Sequence, residues 1–249
     1  RTMNDKLPVI TLHQQEYREN DALVFVLSKQ KGYLTFLAKG IRKLESKNSY
    51  ACQPFSFSEF RYDEKEGSDF QLLHEASLIE SNRLLRENLV KSTVASVLAE
   101  AVLSIVKEGL DIEGSNDLYD LLEVLFKELR EADRPYLVLA FFYARLADLL
   151  GFSPMVDGCA ICSSQKVNSI SVADGGFICP DCRLETQTPI YEPEILKQFR
   201  YLAKAGLSNF SALAEAVAIG KETAEIYRDF IVEHAGMRLK SWAFLEKVL

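Results

Sequence analysis

Cys159-Ala160-Ile161-Cys162 and Cys179-Pro180-Asp181-Cys182 are two Cys-x-x-Cys pairs separated by sixteen residues. A tetrahedral metal ion needs four donors converging from a small volume. A two-residue gap lets both thiolates of a pair reach one ion, and a long spacer lets the second pair fold back onto the first. Soft sulfur donors in this pattern point to zinc, with one ion per chain. Two disulfides would need an oxidising compartment, and a redox Cys-x-x-Cys motif does not come twice. Four cysteines also close the coordination shell, whereas a catalytic zinc keeps a position for water. The zinc deaminase pattern, His-x-Glu followed by Pro-Cys-x-x-Cys, is missing here: Ile178 precedes Cys179, and His13, His74 and His234 are scattered. The expected role is therefore structural.

The spacer has the means to turn back. Val167–Val172 suits a strand, Asp174-Gly175-Gly176 a turn, and Phe177-Ile178 a return into the second pair. On either side the apolar period is helical. Leu84, Leu85, Leu89, Val94, Val97, Leu98, Ala101, Val102 and Ile105 predict one long helix ending near Gly109. Helices are also expected over 118–129, 136–150, 194–205, 211–217, 222–234 and 240–249. The cysteine segment, about 155–188, is then an insertion in an α-helical domain covering 81–249.

Residues 7–80 alternate with period two instead. Val9–Leu12, Ala22–Ser28 and Tyr33–Lys39 read as strands, the last two joined by a turn ending at Gly32. Phe55 and Phe57, then Phe70, Leu72 and His74, continue the alternation. Five short strands with an irregular connection after the third fit an OB-type barrel over 1–80; an SH3-like barrel or a plain meander would alternate in the same way. The fold class is thus α+β: an N-terminal OB-type β-barrel, then a helical domain with an inserted four-cysteine zinc knuckle. The N-terminus has no apolar signal-like region, and Arg145 and Asp148 break the apolar run 137–150, so a cytoplasmic protein is expected.

The net charge of −7 disfavours a generic nucleic-acid binder, but its distribution is uneven. Residues 1–47 hold nine Lys/Arg against five Asp/Glu, and the rest hold twenty against thirty-one. Within the barrel, Lys29, Lys31, Lys39, Arg42, Lys43 and Lys47 gather with the single acid Glu45 among them. Tyr33, Phe36, Tyr50 and Phe55 are interleaved. Cations that neutralise phosphate, with rings that stack on bases, describe a sequence-tolerant single-strand binder. Phe36 and Phe55 are assigned to strands and to the core, which leaves Tyr33 and Tyr50 as the base-facing rings. No enzymatic motif accompanies these residues: Gly220-Lys221 has Glu215 where a P-loop needs its first glycine, and neither Gly-x-Ser-x-Gly nor His-Glu-x-x-His occurs. A protein-interaction scaffold that does not touch DNA is the alternative, favoured by the net charge.

Several short stretches, in order, carry a resemblance over nearly the whole chain. They are Tyr17–Leu23, Gly32–Thr35, Ala38–Arg42, Gln53-Pro54-Phe55, Leu149–Pro154 directly ahead of Cys159, and His234–Leu245. On these the chain resembles the RecO family of bacterial DNA repair proteins. The resemblance implies a non-enzymatic recombination mediator acting at the nucleoid. Such a protein binds single- and double-stranded DNA, anneals strands, engages the single-strand-binding protein SSB, and with RecR helps load RecA. It also implies a place for the acidic SSB C-terminal tail. Lys197, Arg200 and Lys204, three and four apart in the helix starting near Glu194, are the candidates, with Arg200 first because its fork suits a terminal carboxylate.

Overall fold

The computed structural model describes residues 6–249. Contacts divide the chain into two compact units: residues up to Asp133 together with Leu239–Leu249, and Arg134–Arg238.

The first unit is built on a closed barrel. Its strands are β1 (Leu7–Tyr17), β2 (Asp21–Ser28), β3 (Gly32–Ala38), β4 (Phe57–Tyr62) and β5 (Gln71–Glu80), in the order β1-β2-β3-β5-β4. β1 pairs antiparallel with both β2 and β4, and a short parallel contact, Phe36↔Gln71 and Leu37↔Leu72, closes the ring between β3 and β5. A meander would place β4 beside β3, so this crossover selects the OB-type topology. Val9, Val24, Val26, Phe36 and Phe60 fill the interior without solvent exposure. Phe36 meets Phe60 and Tyr62 edge-to-face at 5.0 and 4.9 Å.

Two strand readings change. Of the alternation Phe70, Leu72, His74, Phe70 precedes β5 and Leu72 and His74 lie on its outer face; Gln71, Leu73 and Ala76 are the buried residues of the strand. Phe55 is core, but it sits in a bend before β4 at φ +72°, not on a strand.

The one long helix expected from the stripe Leu84–Ile105 is two: α1 (Arg83–Glu87) and α2 (Leu89–Lys107). Asn88 separates them because its side chain accepts from the Lys91 N–H and caps α2 at 3.0 Å. α2 is long and apolar enough to span a membrane by length and composition, a property the sequence reading did not pick out. Ten of its residues are nonetheless buried, as in a core helix. α3 (Ile112–Glu131) seats Phe126 edge-on to Phe55 and Phe57, with ring centroids 5.7 and 6.2 Å apart. α9 (Ser241–Val248) returns to this unit, where Glu100 of α2 accepts from the backbone N–H groups of Lys240 and Ser241.

The second unit holds α4 (Pro135–Leu149), α6 (Pro193–Lys204), α7 (Phe210–Ala216) and α8 (Lys221–Ala235), with the cysteine segment between α4 and α6. That segment contains the hairpin β6 (Ser169–Ser171) and β7 (Gly176–Ile178), then α5 (Pro180–Thr186), a short helix without a sequence expectation. Phe199 of α6 stacks on Tyr227 of α8 at 4.8 Å, and the Tyr227 hydroxyl donates to the Phe199 carbonyl. Arg145 of α4 donates to the carbonyls of Leu202 and Ala203 at the end of α6, at 2.8 and 3.2 Å.

Candidate metal centre and nucleic-acid interface

The β6–β7 hairpin performs the return that the spacer predicted. Ser169 pairs with Ile178 and Ser171 with Gly176, and Gly175 takes φ +84° in the turn. Chain on both flanks is tied to it: Met155 bridges Gly176, and Ile190 bridges Ser169. Gly176 has to lack a side chain, because a Cβ there would collide with the Met155 backbone.

This folding brings Cys159, Cys162, Cys179 and Cys182 together, with all four sulfurs within 4.8 Å of one another. The Cys162 and Cys179 sulfurs are 3.6 Å apart. A tetrahedron with metal–sulfur bonds of about 2.3 Å has edges of about 3.8 Å, so the cage matches a thiolate-bound ion. The first pair sits in a tight loop, in which the Cys159 N–H donates to the Ser164 carbonyl and Ser163 donates back to the Cys159 carbonyl. The second pair straddles the start of α5, and Cys182 donates its N–H to the Cys179 sulfur. Burial raises the Cys159 thiol, but backbone N–H groups of Cys162, Cys179 and Ile161 outweigh it and bring the group to about 6. Bonding to Cys179, foremost, pushes the Cys182 thiol up. Four sulfurs this close cannot all ionise without a cation among them. Ile178 packs against Cys159 and Cys179 as a small core. Of the histidines, His234 does reach the spacer, at the Val172 carbonyl (2.7 Å), without belonging to the sulfur cluster.

The fold splits the basic cluster. Lys29 and Lys31 lie in the β2–β3 turn, before β3, while Lys39, Arg42, Lys43 and Lys47 follow it. The seven residues of β3 set the two groups about 20 Å apart, at roughly 3.3 Å of rise per residue. Nor is Glu45 the only opposing acid, because tertiary folding brings others. Lys29 pairs with Asp120 of α3 at 3.4 Å, Lys31 with Glu64 at 2.9 Å, and Arg42 with Glu16 at 2.9 Å. Glu64, first among several influences, raises the Lys31 ammonium further. Lys39, Lys43 and Lys47 have no ion pair with any described residue.

The free lysines therefore belong to the end of the barrel where β3 finishes. That end also carries the β1–β2 turn: the Gly40 N–H donates to the Asp21 carboxylate at 2.8 Å, and the Arg42 N–H to the Asn20 carbonyl. Arg18 is in this turn, its guanidinium 5.1 Å from the Tyr17 ring. That its turn meets the Gly40–Arg42 stretch was not legible in the linear sequence. Tyr50 is largely exposed; Tyr33 is half-buried, and its hydroxyl accepts from Thr35.

On α6, the Arg200 and Lys204 side chains converge on Asp157, at 3.0 and 2.9 Å, and Arg200 also donates to the Val156 carbonyl. Both cations are thus occupied by the chain leading into the first cysteine pair. Lys197 lies 5.7 Å from the Tyr201 ring and has no carboxylate partner among the described residues.

Two family models match this chain: recombination protein O N terminal over residues 3–82, and recombination protein O C terminal over residues 86–243. Curated relatives align along nearly the full length. The DNA repair protein RecO of Bacillus subtilis (strain 168) is 28% identical over 253 residues, covering 99% of this chain and 95% of that protein. RecO of Thermoanaerobacter sp. (strain X514) is 26% identical over 247 residues, covering 98% and 97%. RecO of Desulforudis audaxviator (strain MP104C) is 29% identical over 246 residues, covering 96% and 95%.

Proposed function

The chain belongs to the recombination protein O (RecO) family, and from that membership we propose that it is a non-enzymatic, DNA-binding recombination mediator. In this reading it binds and anneals single-stranded DNA, also binds duplex, and with RecR helps load RecA on SSB-coated DNA, in the cytoplasm at the nucleoid. DNA binding is assigned to residues 1–80; the helices of 81–249 are shared between the two units, α1–α3 and α9 lying in the barrel's unit and the inserted segment 155–188 in the other.

One observation carries DNA contact. Lys39, Lys43 and Lys47 stand without carboxylate partners among the described residues, at one end of an OB-type barrel, with the exposed Tyr50 in the same connection. Free ammonium groups attract phosphate without reading sequence. Lys29, Lys31 and Arg42 contribute less, because each already has a carboxylate. A DNA-free interaction scaffold draws support from the net charge of −7 and from those three pairings. Zinc is the proposed ion at Cys159, Cys162, Cys179 and Cys182, holding the segment's shape and supplying no reaction. The SSB tail is assigned to the α6 face, where Lys197 is the available cation and Arg200 and Lys204 would have to leave Asp157.

Salt titration of binding to a labelled single strand tests the reading. Charge reversal at Lys39, Arg42 and Lys43 to Glu should weaken binding to all base sequences alike. The log–log salt slope should fall by about 1.4 for Lys39 and Lys43, at roughly 0.7 per phosphate contact on single strands, with a smaller addition from the Glu16-paired Arg42. Unchanged affinity and slope in a folded variant would favour the scaffold.

A further inference from the structure

The connection between β3 and β4 is held at both ends and open in the middle. Ile41, Ala51 and Cys52 are buried in the barrel core. Asn48 spans to β5, donating to the His74 carbonyl at 3.4 Å and accepting from the Ala76 N–H at 3.1 Å. Between these anchors run two successive turns, closed by Lys43 N–H to Gly40 carbonyl and Ser46 N–H to Lys43 carbonyl, each 3.1 Å. Leu44 is at the tip of the second turn and is fully exposed, at 104%. Tyr50 follows at 79%, and among the described residues these are the two most exposed large apolar side chains. Burial of a leucine favours the fold, yet this loop buries three neighbours and leaves Leu44 out.

Leu44 stands between Lys43 and Lys47, and the exposed Tyr50 follows them in the same connection; with no ion pair on Lys39, Lys43 or Lys47 among the described residues, this matches one occupant in particular. Lys39, Lys43 and Lys47 suit a phosphate backbone, and unpaired bases offer apolar faces to Leu44 and Tyr50. Proteins that engage bases through aliphatic wedges and aromatic platforms use this combination. Resting on the DNA-binding reading above, we infer that Leu44 and Tyr50 form a base-contacting wedge on a pre-set basic loop, selecting unstacked single strands over duplex. The two turns fix the tip before DNA arrives, so little ordering is required on binding.

The test uses the full chain and fluorescence anisotropy with three probes of equal length: a labelled oligothymidine, the same strand with abasic sites, and a duplex. Because Leu44 is wholly exposed, L44S should fold as the parent does, which a melting curve checks. L44S should weaken oligothymidine binding at least about threefold and Y50A at least about fivefold, the latter from stacking worth roughly 1–3 kcal/mol per base. Neither should alter the salt slope, abasic binding should be unchanged, and L44M should restore affinity. Parent-like oligothymidine binding by both variants, or equal losses on the abasic strand, overturns the wedge. Failure of the DNA reading itself has another signature: the Lys39, Arg42 and Lys43 reversal would leave affinity and slope unmoved.

Discussion

Asp157 decides what two of the α6 cations can do. Hydrogen bonds from Lys204 and then Arg200 hold its carboxyl below the usual carboxylate range, and it holds both side chains in turn. An acidic peptide on this face has to displace it, so the carboxylate is a built-in competitor. Asp157→Asn keeps the shape and removes the competitor's charge. Tail-peptide binding should then tighten about two- to fivefold, the scale of a surface ion pair. Peptide anisotropy with the parent and Asp157→Asn checks this, and unchanged affinity would remove the tail from this face. The remaining cysteine contrasts with the cluster. Burial alone pushes the Cys52 thiol up to about 12, so it stays protonated as a packing residue in the barrel.

Helix ends do much of the positioning. Asn88 stops α1 and starts α2, and Arg145 closes the last carbonyls of α6 with donors from another helix. α9 has no cap of its own; Glu100 supplies one, with the Ser241 hydroxyl adding a third donor to that carboxylate. Glu100→Ala should therefore destabilise the first unit by about 1 kcal/mol, the usual scale of a lost N-terminal cap. The sole tryptophan, Trp242, is buried in α9 and reports the change directly. Its emission should shift to the red at lower denaturant than in the parent. Coincident unfolding curves would mean that α9 is held by its apolar face alone.

Across the whole molecule, the cysteine segment and the barrel answer to different forces. The barrel is stabilised by apolar burial and a closed ring of strand pairs, whereas residues 155–188 have a small core around Ile178 beside the four-cysteine cluster, and the proposed ion is expected to hold them. Purified protein should carry one zinc by elemental analysis. After chelation, hydrogen exchange should quicken in β6, β7 and α5 while β1–β5 keep their protection. Equal exchange in the segment with and without chelator would show that the hairpin stands without the ion.

The sequence by itself determined whatever depends on local spacing. Two-residue gaps and a strand–turn–strand spacer specified the sulfur cage, and the change of period from two to 3.6 specified strands and then helices in order, while the β3–β5 pairing decided how the strands close. The turn at Gly32 and the N-terminal proline of α4 are equally local. Only the tertiary structure decided which charges meet. Asp120, Glu64 and Glu16 reach Lys29, Lys31 and Arg42 from distant positions, and a strand of seven residues separates cations that neighbour each other along the chain. Asp157 claims Arg200 and Lys204 across more than forty positions. The reason is physical: backbone geometry is set by near neighbours, whereas a charge responds to whatever the fold brings within a few ångströms.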